Sequence, residues 1–516
     1  MAKKTRTDYS MLNIIAGMGG YAVNLIMGVI CRMVFTRTLA ADYLGINGLF
    51  TNILTMLSLA ELGIGSAIGY ALYRPLANDD KPKIASLMKF YARCYYVIGA
   101  VVAVLGICLM PFLHLLIQDP PAIKENLYII YLLYLFNTSS TYFFSYRGAL
   151  LTAAQQNYLV VGISYLVMIT QSIVQIVLLL TTRNYMLYLI ILVIGSLCYN
   201  FIISYVAKKK FPYIVGSDVP SLQSSEKKEL ISNVRALTIW KLSGLLVNQT
   251  DNIIITYFNG LITVGLASNY TLLSGTLTSL LNLIFNGITA SVGNHNALET
   301  QEHKYSLFKS INLANFWLFG WAAIGIFVCS TDLVNLLFGK TYTLSIEIPL
   351  IIAVNFYMVG MQSAVWTYKN TMGIFRQGRY LLFLTAVINL VASIWLGKIW
   401  GLFGIFFASA LSRLFTNTWY DPYAIHKYGF GRSVFPYYLR YVMYTIILVA
   451  TGTVCFLVCK MLHFSLVINI ILKIILCSII PNVVFFLCFA WTPEFQYLLS
   501  FVKRVMAKIF GAVKRR

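Results

Sequence analysis

The chain has 516 residues, of which 59% are hydrophobic and 11% charged, less than half the roughly 25% charged content of an average soluble domain. Runs of about 20 apolar residues, enough to cross a bilayer, recur from Met11 to Ala490 and leave no room for an independent soluble domain, which excludes an ordinary cytosolic enzyme. The formal charge of +22, from 39 Lys and Arg against 17 Asp and Glu, must then be read as charge placed by membrane topology before nucleic-acid binding is considered, and its placement favours topology.

In chain order, the apolar stretches predict an all-α polytopic membrane protein of about fourteen helices. Their approximate extents are 11–35, 46–72, 92–117, 127–149, 158–181, 185–206, 234–258, 262–291, 308–338, 346–368, 380–397, 401–419, 437–459 and 466–490. Twelve spans are the alternative if a marginal pair is re-entrant. Lys3, Lys4 and Arg6 precede a full-length span with no small-residue cleavage site, so Met11–Phe35 is expected to persist rather than be removed as a signal. With a cytoplasmic N-terminus, about 30 Lys and Arg fall inside and about 6 outside (Arg37, Lys124, Arg183, Lys340, Lys398 and Lys460). That asymmetry puts both termini in the cytoplasm.

Weak self-similarity at a displacement of about 220 residues pairs Tyr43-Leu44-Gly45 with Thr263-Val264-Gly265, and His114–Ile117 with Asn335–Phe338. The expected organisation is two parallel six-helix lobes, 1–207 and 231–435, joined by a cytoplasmic linker at 208–230. A further helix pair at 436–494 and a basic amphipathic tail at 495–516 follow. All nine cysteines lie in or at the ends of spans and their number is odd, which does not make a disulfide framework. His114, His295, His303, His426 and His463 are scattered without metal-ligand spacing, so no metal site and no cofactor are expected.

Five ionisable side chains are read as lying well inside spans: Arg32, Glu61, Lys241, Asp251 and Lys473. Each costs about 2.5–3.5 kcal/mol if it faces lipid, so pairing or a wet cavity is expected. Asn248-Gln249-Thr250-Asp251-Asn252 places five polar residues in succession on the seventh helix. At about 100° per residue, Lys241, Asn248 and Asn252 share one face, with Asp251 on its flank. On the eighth helix Gly275, Ser279, Asn282 and Asn286 align as a second polar wall. The first helix carries Asn13, Gly17, Gly20 and Asn24, small and polar residues that serve either close helix packing or a cavity. Glu61 and Asp251 are candidate counter-ions of Arg32 or Lys241, or sites for a coupling ion. Lys473 is assigned to packing. Most of the 76 aromatic residues are explained by interfacial anchoring and core packing.

Several strings resemble the polysaccharide-transport, Wzx-type branch of the multidrug/oligosaccharidyl-lipid/polysaccharide exporter superfamily. They are Ala60-Glu61-Leu62-Gly63-Ile64-Gly65-Ser66-Ala67-Ile68, Leu72-Tyr73-Arg74-Pro75-Leu76, Asn248 to Ile255, Ser291-Val292-Gly293-Asn294, and Asn417-Thr418-Trp419-Tyr420-Asp421-Pro422-Tyr423. The resemblance runs from about residue 11 to 435 and rests on the order of the strings. It implies a V-shaped pair of lobes, alternating access, and movement of a polyprenyl-diphosphate-linked oligosaccharide from the cytoplasmic to the outer leaflet of a bacterial plasma membrane. Capsule, exopolysaccharide or O-antigen assembly would be the purpose.

On that reading Lys241 and Arg32 hold the diphosphate, and Asn24, Asn248, Asn252, Asn282 and Asn286 take sugar hydroxyls. Coupling to Na⁺ or H⁺ through Glu61 or Asp251, or to the membrane potential alone, stays open. The lack of a Walker-type loop fits a transporter that does not consume ATP. The expected partners are the lipid-linked oligosaccharide, membrane lipids, and a polysaccharide polymerase with glycosyltransferases, with no nucleic acid. The rival readings are a flippase for a cell-wall precursor, a multidrug cation antiporter, which would want a more acidic cavity, and a membrane polysaccharide polymerase. The last is disfavoured by short outer loops whose acids (Asp42, Asp119, Glu125, Glu347) are dispersed.

Overall fold

The apolar runs fold as helices, and no strand occurs among the described residues. The computed structural model describes residues 6–58, 64–117, 121, 123–214, 222, 224, 226–228, 230–231, 250–298, 300–374, 378, 380–500 and 503. Lys241, Asn248 and Glu61 lie outside them, as do most of the expected linker and tail. Asn13 and Asn286 lie on described helices whose side chains at those positions are not described.

The first nine helices are α1 (Arg6–Thr38), α2 (Ala41–Leu57), α3 (Ile64–Ala77), α4 (Lys81–Leu109), α5 (Leu113–Leu116), α6 (Leu127–Tyr142), α7 (Tyr146–Ala153), α8 (Asn157–Thr182) and α9 (Tyr185–Lys210). A helical stretch at 250–259 precedes α10 (Leu261–Leu298). Then come α11 (Gln301–Phe338), α12 (Glu347–Thr371), α13 (Leu381–Phe415), α14 (Asn417–Ala424), a π-helical turn (Ile425–Phe430), α15 (Phe435–Lys460) and α16 (Leu466–Phe489). By internal contacts the chain forms two units, Met1–Gly265 and Leu266–Arg516.

One expected span is broken in two. The span expected at 127–149 ends at Tyr142 and resumes at Tyr146. Ser139, Ser140 and Thr141 there donate their hydroxyls to the backbone oxygens of Leu135, Asn137 and Thr138 (2.8, 3.1 and 2.7 Å), and such back-bonding competes with the helix ladder. Of the span expected at 46–72, the described residues form the end of α2, where the Ser58 hydroxyl donates to the Leu54 carbonyl (2.8 Å), and the first part of α3. By contrast, the separate helices expected at 380–397 and 401–419 are recognisable inside α13. Gly401, at φ 55° and ψ −135°, turns the chain back on itself in a conformation that glycine adopts without steric penalty. The two arms are tied by Asn389 Nδ2 to Ser409 Oγ (2.9 Å) and Thr385 Oγ1 to Thr416 Oγ1 (2.8 Å).

The same hairpin shows which solvent the fold suits. Thr385, Asn389 and Ser393, four residues apart, are buried, whereas Phe383, Val387, Val391 and Ile394 are exposed. This inversion, polar within and apolar without, is what lipid demands. Eight helical segments among the described residues are long and apolar enough to span, and the chain is a multi-pass membrane protein.

In the first unit α1 lies along α8, α8 along α9, and α6 against both α4 and α9. Gly20 allows the first contact, because a Cβ there would stand 1.7 Å from the Tyr165 ring. In the second unit α11 is central and touches α12, α15 and α16. Its Phe316 stacks on Tyr444 at 4.4 Å and packs at a tilt against Phe485 at 4.9 Å. Trp317 Nε1 donates to Asn482 Oδ1 (2.6 Å) and Trp321 Nε1 to the Cys477 carbonyl (3.0 Å), fixing α16 against α11. Hydrogen bonds of this kind contribute about 0.6 kcal/mol each within a membrane.

Candidate functional site

Within the first unit, the end of α1 packs through Phe35 and Cys31 on a hydrogen-bonded cluster of side chains from α2, α6, α8 and α9. Asn47 Oδ1 accepts from the Tyr134 hydroxyl (2.8 Å), which lies 3.2 Å from the Tyr185 hydroxyl. Phe35 packs edge-on against Tyr185 and Tyr188 at 5.9 and 5.2 Å. Gln175 Nε2 donates to the Tyr188 carbonyl (3.1 Å), and the Cys31 thiol hydrogen-bonds the Tyr188 side chain. Arg32, the next residue, is half-buried and within electrostatic reach of Tyr188. Tyr43 hydrogen-bonds Glu125, one of the acids that the sequence leaves dispersed. Tyr134 and Tyr185 are too buried to meet a ligand, so their part is to fix the turn that carries Arg32. None of these tyrosines is singled out by sequence; the signal is the helical spacing of Tyr185 and Tyr188.

Asp251 and Asn252 are half-buried in the stretch 250–259. The Asn252 amide nitrogen lies 3.9 Å from where a Cβ on Gly48 would stand, so it faces α2 beside Asn47. The Asn252 carbonyl accepts from the Thr256 hydroxyl (2.7 Å). Asn24 is exposed on the flank of α1. Arg32, Asn24, Asp251 and Asn252 thus belong to one unit, and Asn282 and Asn286 to the other. Asn282 Oδ1 accepts from Ser363 Oγ on α12 at 3.5 Å.

A further half-buried cation of the first unit is Arg147 on α7. Its guanidinium donates to the Ser204 hydroxyl on α9 and lies 5.1 Å from the centre of the Tyr146 ring. One turn after Ser204, α9 ends in Lys208, Lys209 and Lys210. Position at a span end hides Arg147 from a search for charges at mid-span.

The second unit contains acids that the count of five ionisable groups leaves out. Lys473 pairs with Asp332 of α11 (2.6 Å), which makes Asp332 a sixth charge inside the spans. Lys369 pairs with Asp421 (2.6 Å), whose other oxygen accepts from Trp366 Nε1 at 3.2 Å. Only 3% of the Asp421 side chain is accessible. Asp421 belongs to the string from Asn417 to Tyr423, so sequence could have flagged it, but not its partner 52 residues away. At the base of α15, Glu494 joins Lys309 (3.3 Å) and Arg440 (3.1 Å). Burial opposes ionisation of Glu494, yet its own backbone N–H and the two cations outweigh this and hold the carboxyl below its usual 4.5.

An open groove of about 660 Å³ lies between Tyr380, Phe383, Leu384, Val387 and Tyr420. It is apolar and suits lipid rather than a sugar.

No family model matches the chain, and no curated protein matches it. Solved structures do. The lipid II flippase MurJ, in an inward closed conformation, is 13% identical with a TM-score of 0.62, and the match covers 93% of this chain and 99% of MurJ. An inward-facing multidrug resistance MATE family transporter of the MOP superfamily is 14% identical at a TM-score of 0.53, over 82% of this chain and 98% of its own. The Vibrio cholerae MATE transporter VcmN is 13% identical at 0.52, over 83% and 99%. These proteins are a flippase and transporters, not enzymes. The chain has the membrane fold common to MurJ and the MATE transporters.

Proposed function

We propose that the chain is a flippase that carries a polyprenyl-diphosphate-linked oligosaccharide repeat unit across a bacterial plasma membrane by alternating access, for capsule, exopolysaccharide or O-antigen assembly. The observation that supports this most is the extent of the structural match. The lipid II flippase is matched over 93% of the chain and the drug transporters over 82 and 83%, and the difference is close to the length of the C-terminal pair, Phe435 to Phe489. A chain that a lipid II flippase matches over nearly its whole length suits a lipid-linked cargo.

The chemistry agrees. A sugar diphosphate cannot enter hydrocarbon without partners for its polar groups, and a cleft lined by amides could carry it while the polyprenyl tail stays in lipid. Lys241, Arg32 and Arg147 would hold the diphosphate; Asn24, Asn248, Asn252, Asn282 and Asn286 would take hydroxyls. Glu61 and Asp251 would balance these cations or bind a coupling Na⁺ or H⁺. Moving about two negative charges outward, with the force of an inside-negative potential of about 100 mV, gains roughly 4.6 kcal/mol, enough to bias export. With both termini cytoplasmic, the chain would work beside a polymerase and the transferases that build the repeat unit.

The test is reconstitution in liposomes with a labelled polyprenyl-diphosphate oligosaccharide in the inner leaflet and an impermeant reagent outside. Protein-dependent exposure of the glycolipid, without efflux of a cationic dye from parallel vesicles, is expected. Lys241→Ala and Asp251→Asn should each lose exposure while remaining folded and membrane-inserted. Dye efflux without glycolipid exposure would replace this reading with the antiporter one.

A further inference from the structure

Nine cysteines are spread over the chain, and the fold of the C-terminal pair gathers four of them. Cys455 and Cys459 stand one turn apart on the buried face of α15, Cys477 faces them from α16, and Cys329 reaches in from α11. All four are buried. The sulfurs of Cys455, Cys459 and Cys477 lie within 4.8 Å of one another. Cys477 Sγ is 3.5 Å from Cys455 Sγ and 3.9 Å from Cys329 Sγ.

We propose that Cys455, Cys459 and Cys477, with Cys329 as fourth ligand, bind one thiophilic metal ion of the Zn(II) or Cu(I) class inside the membrane, clamping the C-terminal helix pair to α11.

The dimensions fit. With metal–sulfur bonds of about 2.3 Å, the edge of a tetrahedron of sulfurs is about 3.8 Å, and the two separations of 3.5 and 3.9 Å bracket it. An all-sulfur set selects soft ions over Mg(II) or Ca(II). The surroundings are those of a supported site. The Cys477 carbonyl is held by Trp321 Nε1, which fixes the turn that presents the thiol. The Lys473 ammonium is within electrostatic range of Cys329 and Cys459. Each ligating thiol gives its proton to solvent as the metal binds. Four thiolates on a divalent ion leave two net negative charges, and Lys473, itself paired with Asp332, offsets them only in part.

The experiment uses the full-length protein, reduced, freed of metal and held in lipid nanodiscs, with Zn(II), Cu(I) and, as a spectroscopic probe, Cd(II). Uptake of one ion per chain is expected, with thiolate-to-cadmium charge-transfer absorption and proton release. Cys455→Ser/Cys477→Ser should abolish all three, and Cys108→Ser/Cys198→Ser should change none. Should the first double variant fail to fold, Cys459→Ala is expected to weaken the absorption by about a quarter. Absence of stoichiometric uptake overturns the proposal. So does uptake without charge-transfer absorption, uptake that the cysteine variants leave intact, or a Cys455–Cys477 disulfide that re-forms after reduction in preference to metal binding. None of these results bears on whether the chain flips a glycolipid.

Discussion

Lys369 and Lys473 of the second unit and Arg147 of the first are half-buried cations held in different ways. The two lysines each meet a carboxylate at 2.6 Å, so the charge is cancelled where it stands, as Lys83 of the first unit is by Glu226. Arg147 is held by a serine hydroxyl and the face of a tyrosine ring, which orient it without neutralising it. A cancelled charge can fix packing but has little left for an anionic partner. Oriented and uncancelled, Arg147 retains its field, which suits it to the diphosphate of the proposed cargo.

The comparison breaks first at Asp421. Asp421→Ala strips Lys369 of its counter-charge and Trp366 of its acceptor, and truncating one partner of a buried pair costs about 3–5 kcal/mol. Thermal melting in detergent should show that loss, with most of it recovered in Lys369→Met/Asp421→Asn. Equal stability of the single and double variants would mean the pair is not structural. Next is Gly20→Val, which drives α1 away from the Tyr165 ring and should destabilise by about 1–3 kcal/mol as overpacking; a neutral result would separate α1 from α8 in the working protein. Arg147→Ala should leave melting unchanged and slow glycolipid exposure about tenfold, or about 1.4 kcal/mol, with Arg147→Lys intermediate. If melting falls and flipping does not, Arg147 is structural like its counterparts in the second unit.

The smallest effect belongs to Glu494. Its carboxyl is held below the usual value in the folded protein, so its contribution is complete above about pH 4.5 and is lost as pH falls through the lowered pKa. Relative to Glu494→Gln, the native chain should lose about 0.2–1 kcal/mol of its advantage over that acid range. An advantage that grows with acidity would reverse the assignment.

Much of the fold was legible because the bilayer restricts what a backbone can do. The two arms at 380–397 and 401–419 were readable as separate apolar runs, and close packing was one of the two uses open to Gly20, though sequence marked out neither the turn at Gly401 nor the partner α8. The break at Tyr142 was not readable, since hydroxyl back-bonding depends on rotamers that composition does not set. The candidate site was legible by type rather than by pairing. Lys473 was conspicuous in an apolar run, but Asp332 sat near the end of its own helix, 141 residues earlier, and only the packing of α16 on α11 joins them. The tyrosines that hold the end of α1 were lost among 76 aromatic residues, and the four gathered cysteines lie on three helices with no common spacing.

The Asp332–Lys473 pair also bears on how the protein is made. A ribosome adding about 5–20 residues per second needs roughly 7–28 s to cover the 141 residues between them. Throughout that interval α11 has left the exit tunnel with a carboxylate and two indole N–H groups whose partners do not yet exist. The nascent second unit must shelter them, by protonation, by water, or by the insertion machinery, until α16 arrives. A chain halted before α16 would therefore present the cell's membrane quality control with a ready-made polar flag.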